Sequence, residues 1–258
     1  MRPAQLTSKN GNEGWHLPLD GNYNTRDLGG YATFDGRTTN WGKYLRSDTL
    51  ANLSPASRDV LIDYGVRSVI DLRRSAELQF EPSVFIGCKA VSYYHQNMTG
   101  DLALEGEGKP LESEDPAQRK GHRYCLILEQ RKQILRQIMS ILAQEDALPA
   151  IVHCRAGKDR AGIVAALVLG IAGVPRETIV EDYILTARYL IVRHLEQNPD
   201  LSREEYTWKD YQDVACPPAT IELTLYYLEE RYGGISGYLT DAGVTDEQLD
   251  AIRSAMTE

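Results

Sequence analysis

The sequence predicts an α/β fold, and two stretches carry that prediction. In the first, a short apolar run ending at Val152 is typical of a buried strand, a tight loop follows, and the apolar residues 161–169 favour a buried helix. In the second, Ser54-Pro55 begins a helix that Gly65 ends, and residues 66–72 then have the composition of a strand. In open α/β sheets, ligands bind at the carboxyl ends of the strands, so both stretches indicate where a site would lie.

The chain has 258 residues, which is enough for one large domain or two small ones. No linker separates two cores and no internal repeat is visible, so we predict one domain over residues 1–258. Within it we expect a surface arm over residues 1–20, where Trp15, Leu17 and Leu19 alternate as in an edge strand. Residues 99–121 and 198–218 are predicted to be polar insertions.

The insertions leave alternatives open. Residues 99–121 have the length and polarity of either a flexible lid or a disordered segment, and their acidic first part favours solvated surface. The second insertion carries Tyr206, Trp208 and Tyr211, which either line a substrate entrance or, as we favour, cover a hydrophobic face.

Helical periodicity accounts for most of the remaining chain. Residues 123–145 carry isoleucines at helical spacing and predict one helix packed on the sheet. A strand is predicted around residues 90–94, and further helices over residues 176–195, at 221–232 and from the capping pattern that starts at Thr245.

Composition excludes several classes of function. The net charge of −9 gives no reason to expect nucleic acid or anionic membrane as a partner, so a phosphate site would have to be locally positive. No apolar run reaches the roughly 18 residues of a membrane helix, and the N-terminus lacks the apolar core of a signal peptide. A cytoplasmic protein is therefore expected, and four widely spaced cysteines without metal-type spacing fit a reducing compartment.

The loop between the strand ending at Val152 and the following helix has the features of an anion site. Backbone N–H groups and the positive end of the helix dipole converge there, and Cys154 lies at the start of the loop, where these dipoles favour a thiolate. Arg160 follows six residues later and can direct two N–H groups at phosphate oxygens. The pattern His-Cys-x5-Arg is therefore interpreted as a catalytic loop, whereas the other three cysteines are expected to be buried hydrophobes: Cys88, Cys125 and Cys216.

Hydrolysis of a phosphate ester through cysteine requires a nucleophile, a cradle for three oxygens and an acid for the leaving group. We assign Cys154 as the nucleophile, which would form a phosphocysteine intermediate, and Arg160 as a phosphate ligand. His153 is expected to order the loop through hydrogen bonds. The cradle would consist of the remaining loop residues and the residue after the arginine: Arg155, Ala156, Gly157, Lys158 and Ala161.

Two carboxylates are candidates for the acid. Asp159 lies inside the loop and is preferred, while Asp71 ends a neighbouring strand and could act from across the site. Lys158 could hold a second phosphate or an acidic group of the substrate. The charged pairs Arg26-Asp27 and Arg46-Ser-Asp48 either form local salt bridges or border the phosphate site.

Three motifs together resemble a known family. Residues 24–30 (Asn-Thr-Arg-Asp-Leu-Gly-Gly), 69–73 (Val-Ile-Asp-Leu-Arg) and 153–160 (His-Cys-Arg-Ala-Gly-Lys-Asp-Arg) are similar to the atypical bacterial and fungal tyrosine phosphatases. The resemblance implies a single-domain phosphatase-type fold with a central, mostly parallel sheet flanked by helices on both faces. It also implies no metal or cofactor, and substrates that are phosphorylated proteins, phosphotyrosine above all, or phosphoinositides.

Carried over residue by residue, the resemblance assigns Cys154 as nucleophile, Arg160 as phosphate ligand and Asp159 as acid, with Asp71 nearby. The chain departs from the family at Ala161, where a threonine or serine hydroxyl usually stabilises the thiolate. The absence of this hydroxyl should slow hydrolysis of the phosphocysteine intermediate. A phosphate-binding pseudophosphatase is therefore the alternative to an enzyme, and a rhodanese-like sulfur transferase is a third reading.

Overall fold

The computed structural model describes residues 16–107 and 115–257, and its centre is a five-stranded sheet. Its strands are β1 Arg26–Asp27, β2 Tyr44–Ser47, β3 Ser68–Asp71, β4 Ser92–His95 and β5 Ala150–His153. In the strand order β1-β2-β5-β3-β4, all neighbours pair in parallel except β1 and β2, which are antiparallel. The mostly parallel sheet is thus confirmed.

The central strand β5 determines where the site lies. Its last residue, His153, is in register with Ser47 of β2 and with Asp71 of β3. Three parallel strands therefore end side by side, and the residues that follow them leave the sheet at the same edge. This is the edge at which α/β proteins bind ligands.

Ten α-helices flank the sheet in the described part of the chain. Ser54 caps α1 by accepting a hydrogen bond from the Ser57 amide, as its sequence predicts. The helices are α1 Pro55–Asp63, α2 Ser75–Phe80, α3 Pro116–Gln130, α4 Lys132–Leu142, α5 Asp159–Ile171, α6 Arg176–Gln197, α7 Trp208–Ala215, α8 Pro218–Tyr232, α9 Ile235–Asp241 and α10 Asp246–Thr257.

Helices on both faces of the sheet enclose two hydrophobic clusters. Alternate residues of the central strand point to opposite faces, since Val152 joins the larger cluster and Ile151 the smaller one. The larger cluster contains most of α5, which is apolar on all sides and buried, as predicted for residues 161–169. The smaller cluster lies under α1. No helix in residues 16–107 and 115–257 combines the length and apolarity needed to cross a membrane.

The single helix predicted for residues 123–145 is wrong. Arg131 interrupts it with φ −123° and ψ 25°, separating α3 from α4, and its guanidinium donates to the carbonyl oxygen of Thr99. The isoleucine spacing runs through this break because both helices turn an apolar face to the same core. Helix α3 also begins at Pro116, so the first predicted insertion is shorter than residues 99–121.

Two other segments are more ordered than the sequence suggests. Leu17 and Leu19 are buried in the smaller cluster, so the described end of the predicted surface arm belongs to the core, while Trp15 lies outside the described residues. The second predicted insertion contains α7, and Tyr211 on this helix packs against the larger cluster. This contact agrees with a covering role for Tyr211.

Candidate active site

The loop after β5 is compact and closely packed against β2. Cys154 is 2% exposed and follows the strand directly, Lys158 caps α5 at its N-terminus, and Asp159 is the first helical residue. Gly157 has φ +65°, and a Cβ there would lie 2.6 Å from the Asp48 amide nitrogen and from Ser47 backbone atoms. Only glycine fits this position, for both conformational and steric reasons.

Side chains and amides beneath the loop hold its carbonyl groups. Asn24 Nδ2 donates to the Ala156 carbonyl at 3.0 Å, and the Thr49 amide donates to the Arg155 carbonyl at 3.2 Å. Arg46 Nη2 lies 2.6 Å from the Gly157 carbonyl oxygen and 3.3 Å from that of Lys158.

The orientation of the carbonyl groups determines that of the amides. In a trans peptide the C=O and the next N–H point in opposite directions. The N–H groups of residues 156–159 therefore face away from the supporting side chains, toward the bowl that begins at Cys154.

The supporting arginines share one buried carboxylate. Asp182 of α6 is 1% exposed and pairs with Arg26 Nε at 2.9 Å and with Arg46 Nη1 at 2.6 Å. Burial alone would raise the pKa of Asp182, but the two guanidinium groups lower it to about 2. The sequence analysis did not predict this carboxylate. A signal was present, because Asp182 lies one helical turn after Ile179 and one turn before Thr186, and both of these residues are buried. A charged residue at that spacing lies on the inner face of the helix.

Of the two alternatives for the charged pairs, the local salt bridge is wrong, because Arg26 and Arg46 both pair with Asp182. Asp27 instead accepts hydrogen bonds from the amides of Gly29 and Gly42 and from the Tyr64 hydroxyl. Arg26 and Asp27 are neighbours on β1 and point to opposite faces, which separates their charges. The alternative, that these segments border the phosphate loop, agrees with the contacts of Asn24 and Arg46.

Asp48 lies under the loop, and its carboxylate makes no ion pair within residues 16–107 and 115–257. It is 1% exposed and accepts hydrogen bonds from the amides of Tyr23 and Asn24 at 3.3 and 3.0 Å. Burial outweighs these hydrogen bonds and raises the pKa of Asp48 to about 6.

The Glu77 carboxylate binds both Nη atoms of Arg160. The sequence alone places Glu77 in the loop and helix after β3 and does not indicate this contact. Arg160 Nη1 and Nη2 lie 2.5 and 2.9 Å from the Glu77 carboxylate, and Nη1 also lies 3.3 Å from the Leu72 carbonyl oxygen. Burial would lower the pKa of Arg160, but the hydrogen bonds to Glu77 and the nearby Cys154 raise it. Within the described hydrogen bonds Nε is not used, so Nε–H and the second Nη2–H remain for a ligand.

Asp159 stands at the rim of the loop, bound to a buried tyrosine. The Tyr124 hydroxyl of α3 donates to Asp159 Oδ1 at 2.5 Å, and Asp159 Oδ2 lies 3.8 Å from Lys158 Nζ. The side chains of Lys158 and Asp159 are 19% and 32% exposed, so both can reach a bound molecule. Arg155 is exposed.

Asp71 has a different environment. It is fully buried and accepts hydrogen bonds from Arg73 Nε and Nη2 and from the Tyr93 hydroxyl, the latter two at 2.7 Å. Burial would raise the pKa of this carboxyl, but the attraction of His153, the Arg73 bonds and Tyr93 hold it well below its usual range.

His153 lies next to Asp71 and is also fully buried. Its Nδ1 lies 3.4 Å from the Cys154 carbonyl oxygen, and its Nε2 lies 3.5 Å from Asp71 Oδ2 without hydrogen-bond geometry. Burial lowers the pKa of His153 to about 4, against the opposing pull of Asp71, so the ring is neutral at pH 7.

Ala161 is a fully buried residue of α5 on the side of the helix that faces the sheet. It borders a cavity of about 10 Å³ that is also lined by Arg46, Val152 and Val164. The other cysteines lie apart from the loop: Cys125 and Cys216 are buried, and burial raises the pKa of their thiols to about 12 and about 11, whereas Cys88 is partly exposed. The expected burial is thus confirmed for Cys125 and Cys216, whereas Cys88 is only partly buried.

The amino-acid sequence of the chain is similar to known phosphatases. The sequence profile of the tyrosine phosphatase family matches residues 17–258. A tyrosine-protein phosphatase of Nostoc commune is 27% identical over 81% of this chain and 72% of its own length. The triple specificity protein phosphatase PtpB of Mycobacterium tuberculosis is 26% identical over 92% of this chain and 98% of its own length. A putative tyrosine-protein phosphatase of Cupriavidus necator is 29% identical over 65% and 62%.

Among solved structures, the Siw14 catalytic core aligns over 71% of this chain and 92% of its own at 14% identity, with a TM-score of 0.35, which is too low to support a conclusion. The family match and the phosphatase relatives identify the chain as a phosphoric monoester hydrolase. The chain belongs to the tyrosine phosphatase family, because that profile covers nearly the whole sequence.

Proposed function

We propose that this phosphatase hydrolyses phosphotyrosine in proteins through a phosphocysteine intermediate on Cys154. The observation that carries the proposal is the position of Cys154 at the end of β5, inside a bowl formed by the amides of residues 156–159. Arg46 and Arg160 both interact electrostatically with its sulfur. Positive charge and inward amides stabilise the negative charge of a phosphate bound over the sulfur.

Substrate binding uses the part of Arg160 that Glu77 leaves free. The Nε–H and second Nη2–H lie on the same edge of the guanidinium, and such a fork matches two oxygens of a phosphate. The loop amides take the remaining oxygens and stabilise the charge that develops as the phosphoryl group transfers.

In the first step the Cys154 thiolate attacks phosphorus, the S–P bond forms and the P–O bond to the substrate breaks. We assign Asp159 as the acid that gives its proton to the leaving oxygen. Its partly exposed side chain at the rim supports this choice. Asp71 is the weaker candidate, because Arg73 and Tyr93 hold it as a buried anion with no proton to give.

In the second step water attacks phosphorus and the S–P bond breaks, which releases inorganic phosphate and restores the thiolate. Asp159, now ionised, accepts a proton from that water. His153 takes no part in proton transfer and supports the loop from the sheet side, because it is buried and neutral.

The substrate range is proposed to include phosphoserine, phosphothreonine and phosphoinositides. The relative from Mycobacterium tuberculosis is named a triple specificity phosphatase and aligns over almost its full length. Here, Lys158 at the rim supplies a second cation for a further phosphate or an acidic side chain. Four free cysteines, including the nucleophile, fit a reducing compartment such as the cytoplasm.

The test is hydrolysis of phosphotyrosine peptides, phosphoserine peptides and short-chain phosphoinositides, without added metal, by the wild type and Cys154→Ser. We expect turnover by the wild type and loss of it in the variant, with phosphate binding retained. A wild type no faster than Cys154→Ser that still binds phosphate would instead indicate the pseudophosphatase that Ala161 suggests. Lys158→Ala should reduce kcat/KM for phosphoinositides more than for phosphotyrosine, and equal losses would remove the proposed role of Lys158.

A further inference from the structure

Two buried tyrosines on different helices form a hydrogen-bonded chain that ends at Asp159. The Tyr124 hydroxyl of α3 lies 2.5 Å from Asp159 Oδ1 and 2.9 Å from the Tyr183 hydroxyl of α6. Both tyrosines are at most 1% exposed, and their rings pack edge to face at a centroid distance of 6.4 Å. The chain is therefore rigid and shielded from water.

The direction of the hydrogen bonds follows from the chemistry of the three groups. An ionised carboxylate only accepts, so Tyr124 donates to Asp159 and its oxygen remains to accept from Tyr183. Burial, together with the neighbouring Asp159 and Tyr183, raises the pKa of Tyr124 well above its ordinary value. Tyr124 thus remains a donor throughout the working pH range.

Other charged or titratable groups around Asp159 do not fix it in the same way. Lys158 Nζ is 3.8 Å from Oδ2, beyond a hydrogen bond. Four further groups lie near enough to Asp159 to interact with it electrostatically but make no described hydrogen bond to it: Lys120 from α3, Arg160 from α5, Tyr211 from α7 and Cys216 after α7. Tyr124 is the group that makes a hydrogen bond to this carboxyl among the described contacts.

We propose that Tyr124, backed by Tyr183, is the positioning residue for the general acid. The Tyr124 hydroxyl binds Oδ1 of Asp159. Oδ2, on the side of Lys158, therefore carries the proton that passes to the leaving oxygen when the P–O bond breaks. This inference rests on the proposed role of Asp159. Tyr124 does not touch the substrate and transfers no proton itself.

A positioning role predicts that the loss depends on the leaving group. A nitrophenolate leaves without protonation, whereas the phenolate of phenyl phosphate and the tyrosine oxygen of a phosphopeptide need the acid. A hydrogen bond to a charged group is strong enough that Tyr124→Phe should lower kcat/KM for phenyl phosphate, which reports on cleavage of the P–O bond, about tenfold or more. With 4-nitrophenyl phosphate, kcat/KM should change little.

The experiment measures kcat/KM for both substrates in the wild type, Tyr124→Phe, Asp159→Asn and the double variant, because kcat/KM reports on P–O cleavage even where hydrolysis of the intermediate limits kcat. In the Asp159→Asn background Tyr124→Phe should have no further effect on kcat/KM, since the acid through which it acts is gone.

Two further variants separate positioning from general damage. Tyr238→Phe is a matched control, because Tyr238 is equally buried and its hydroxyl donates to the Leu128 carbonyl of α3, remote from the acid. It should alter thermal stability as Tyr124→Phe does, but with no dependence on the leaving group. Tyr183→Phe should have the same leaving-group dependence as Tyr124→Phe, in weaker form.

The outcomes distinguish this inference from the function it rests on. If Asp159→Asn loses kcat/KM equally with both substrates, Asp159 is not the acid, and its proposed role and that of Tyr124 both fall. If Asp159→Asn shows the selective loss of kcat/KM and Tyr124→Phe does not, or if their effects on kcat/KM are additive in the double variant, only the positioning role of Tyr124 is overturned.

Discussion

Arg46 donates a hydrogen bond of 2.6 Å to the carbonyl oxygen of Gly157, so a fully buried cation supports the phosphate loop from below. The same guanidinium pairs with Asp182, which also holds Arg26. The loop conformation therefore depends on a carboxylate of α6, which lies outside the loop sequence. A buried charge left without its partner is strongly destabilising.

Asp182→Asn should therefore lower the free energy of unfolding by about 3–5 kcal/mol and weaken phosphate binding. Urea unfolding and titration with inorganic phosphate measure the two effects. Asp250→Asn is the control, because the Asp250 side chain is 70% exposed in its pair with Arg253 and should change stability very little. Equal effects of the two substitutions would contradict the supporting role of Asp182.

Glu77 should be required for the orientation of Arg160. Glu77→Gln keeps an oxygen that can accept from the Arg74 amide at the start of α2, but it loses the charge that holds both Nη atoms of Arg160. A charge-assisted pair of this kind is worth about 1.5–3 kcal/mol, so kcat/KM for an aryl phosphate should fall about 10- to 100-fold.

The control for Glu77 is Glu107→Gln. This substitution also removes one carboxylate charge from an ion pair, in this case with Arg123, and both side chains of that pair are about 30% exposed. Activity of Glu107→Gln should match the wild type. If Glu77→Gln retains full kcat/KM, Arg160 is oriented by the bound phosphate alone.

Asp48 should make stability depend on pH in a defined window. Its pKa in the folded protein is about 6, and a carboxyl in the unfolded chain titrates near 3.9, so the folded state binds the proton more tightly. The free energy of unfolding should therefore fall as pH rises from about 4 to about 6, by up to about 3 kcal/mol from this group.

The Asp48→Asn variant lacks this titration. The free energy of unfolding of the variant minus that of the wild type should therefore increase as pH rises from about 4 to about 6. Urea unfolding at pH 4, 5, 6 and 7 measures the difference. The exposed Asp59→Asn serves as control. A constant difference between Asp48→Asn and the wild type would contradict the prediction, because it would show that folding leaves the pKa of Asp48 unchanged.

Ala161 should limit the second chemical step. Ala161→Ser adds one oxygen beside a cavity of about 10 Å³, so the hydroxyl can enter without moving the sheet. A hydroxyl donor would stabilise the thiolate as it leaves phosphocysteine and speed hydrolysis of the intermediate. Stopped-flow assays should show a burst of phenol in the wild type that shrinks in Ala161→Ser, while an unchanged burst would remove this explanation.

Local patterns in the sequence predict much of the fold. The helix caps at Ser54 and Thr245, the apolar helix α5 and the strand before Cys154 each depend on neighbouring residues, and all appear in the structure. The break at Arg131 escapes prediction because it depends on a contact with Thr99, which is remote in the chain.

The same distinction applies to the site. Cys154, Asp159 and Arg160 are adjacent in sequence and share one recognisable loop, whereas Asp182, Glu77 and Tyr124 reach it from three other helices. Their partners are separated from them by 35 to 156 positions, so no local spacing indicates the pairing. The charge of Asp182 on a buried helix face is the one signal that sequence periodicity offers.

The most direct test of the central claim is to trap the intermediate. Wild-type enzyme mixed with excess phosphotyrosine peptide, quenched with acid within the burst phase and digested, should yield phosphate bound to the peptide that contains Cys154. Cys154→Ala should yield none and should not turn over. Phosphate on another residue, or turnover by Cys154→Ala at the wild-type rate, would contradict the mechanism.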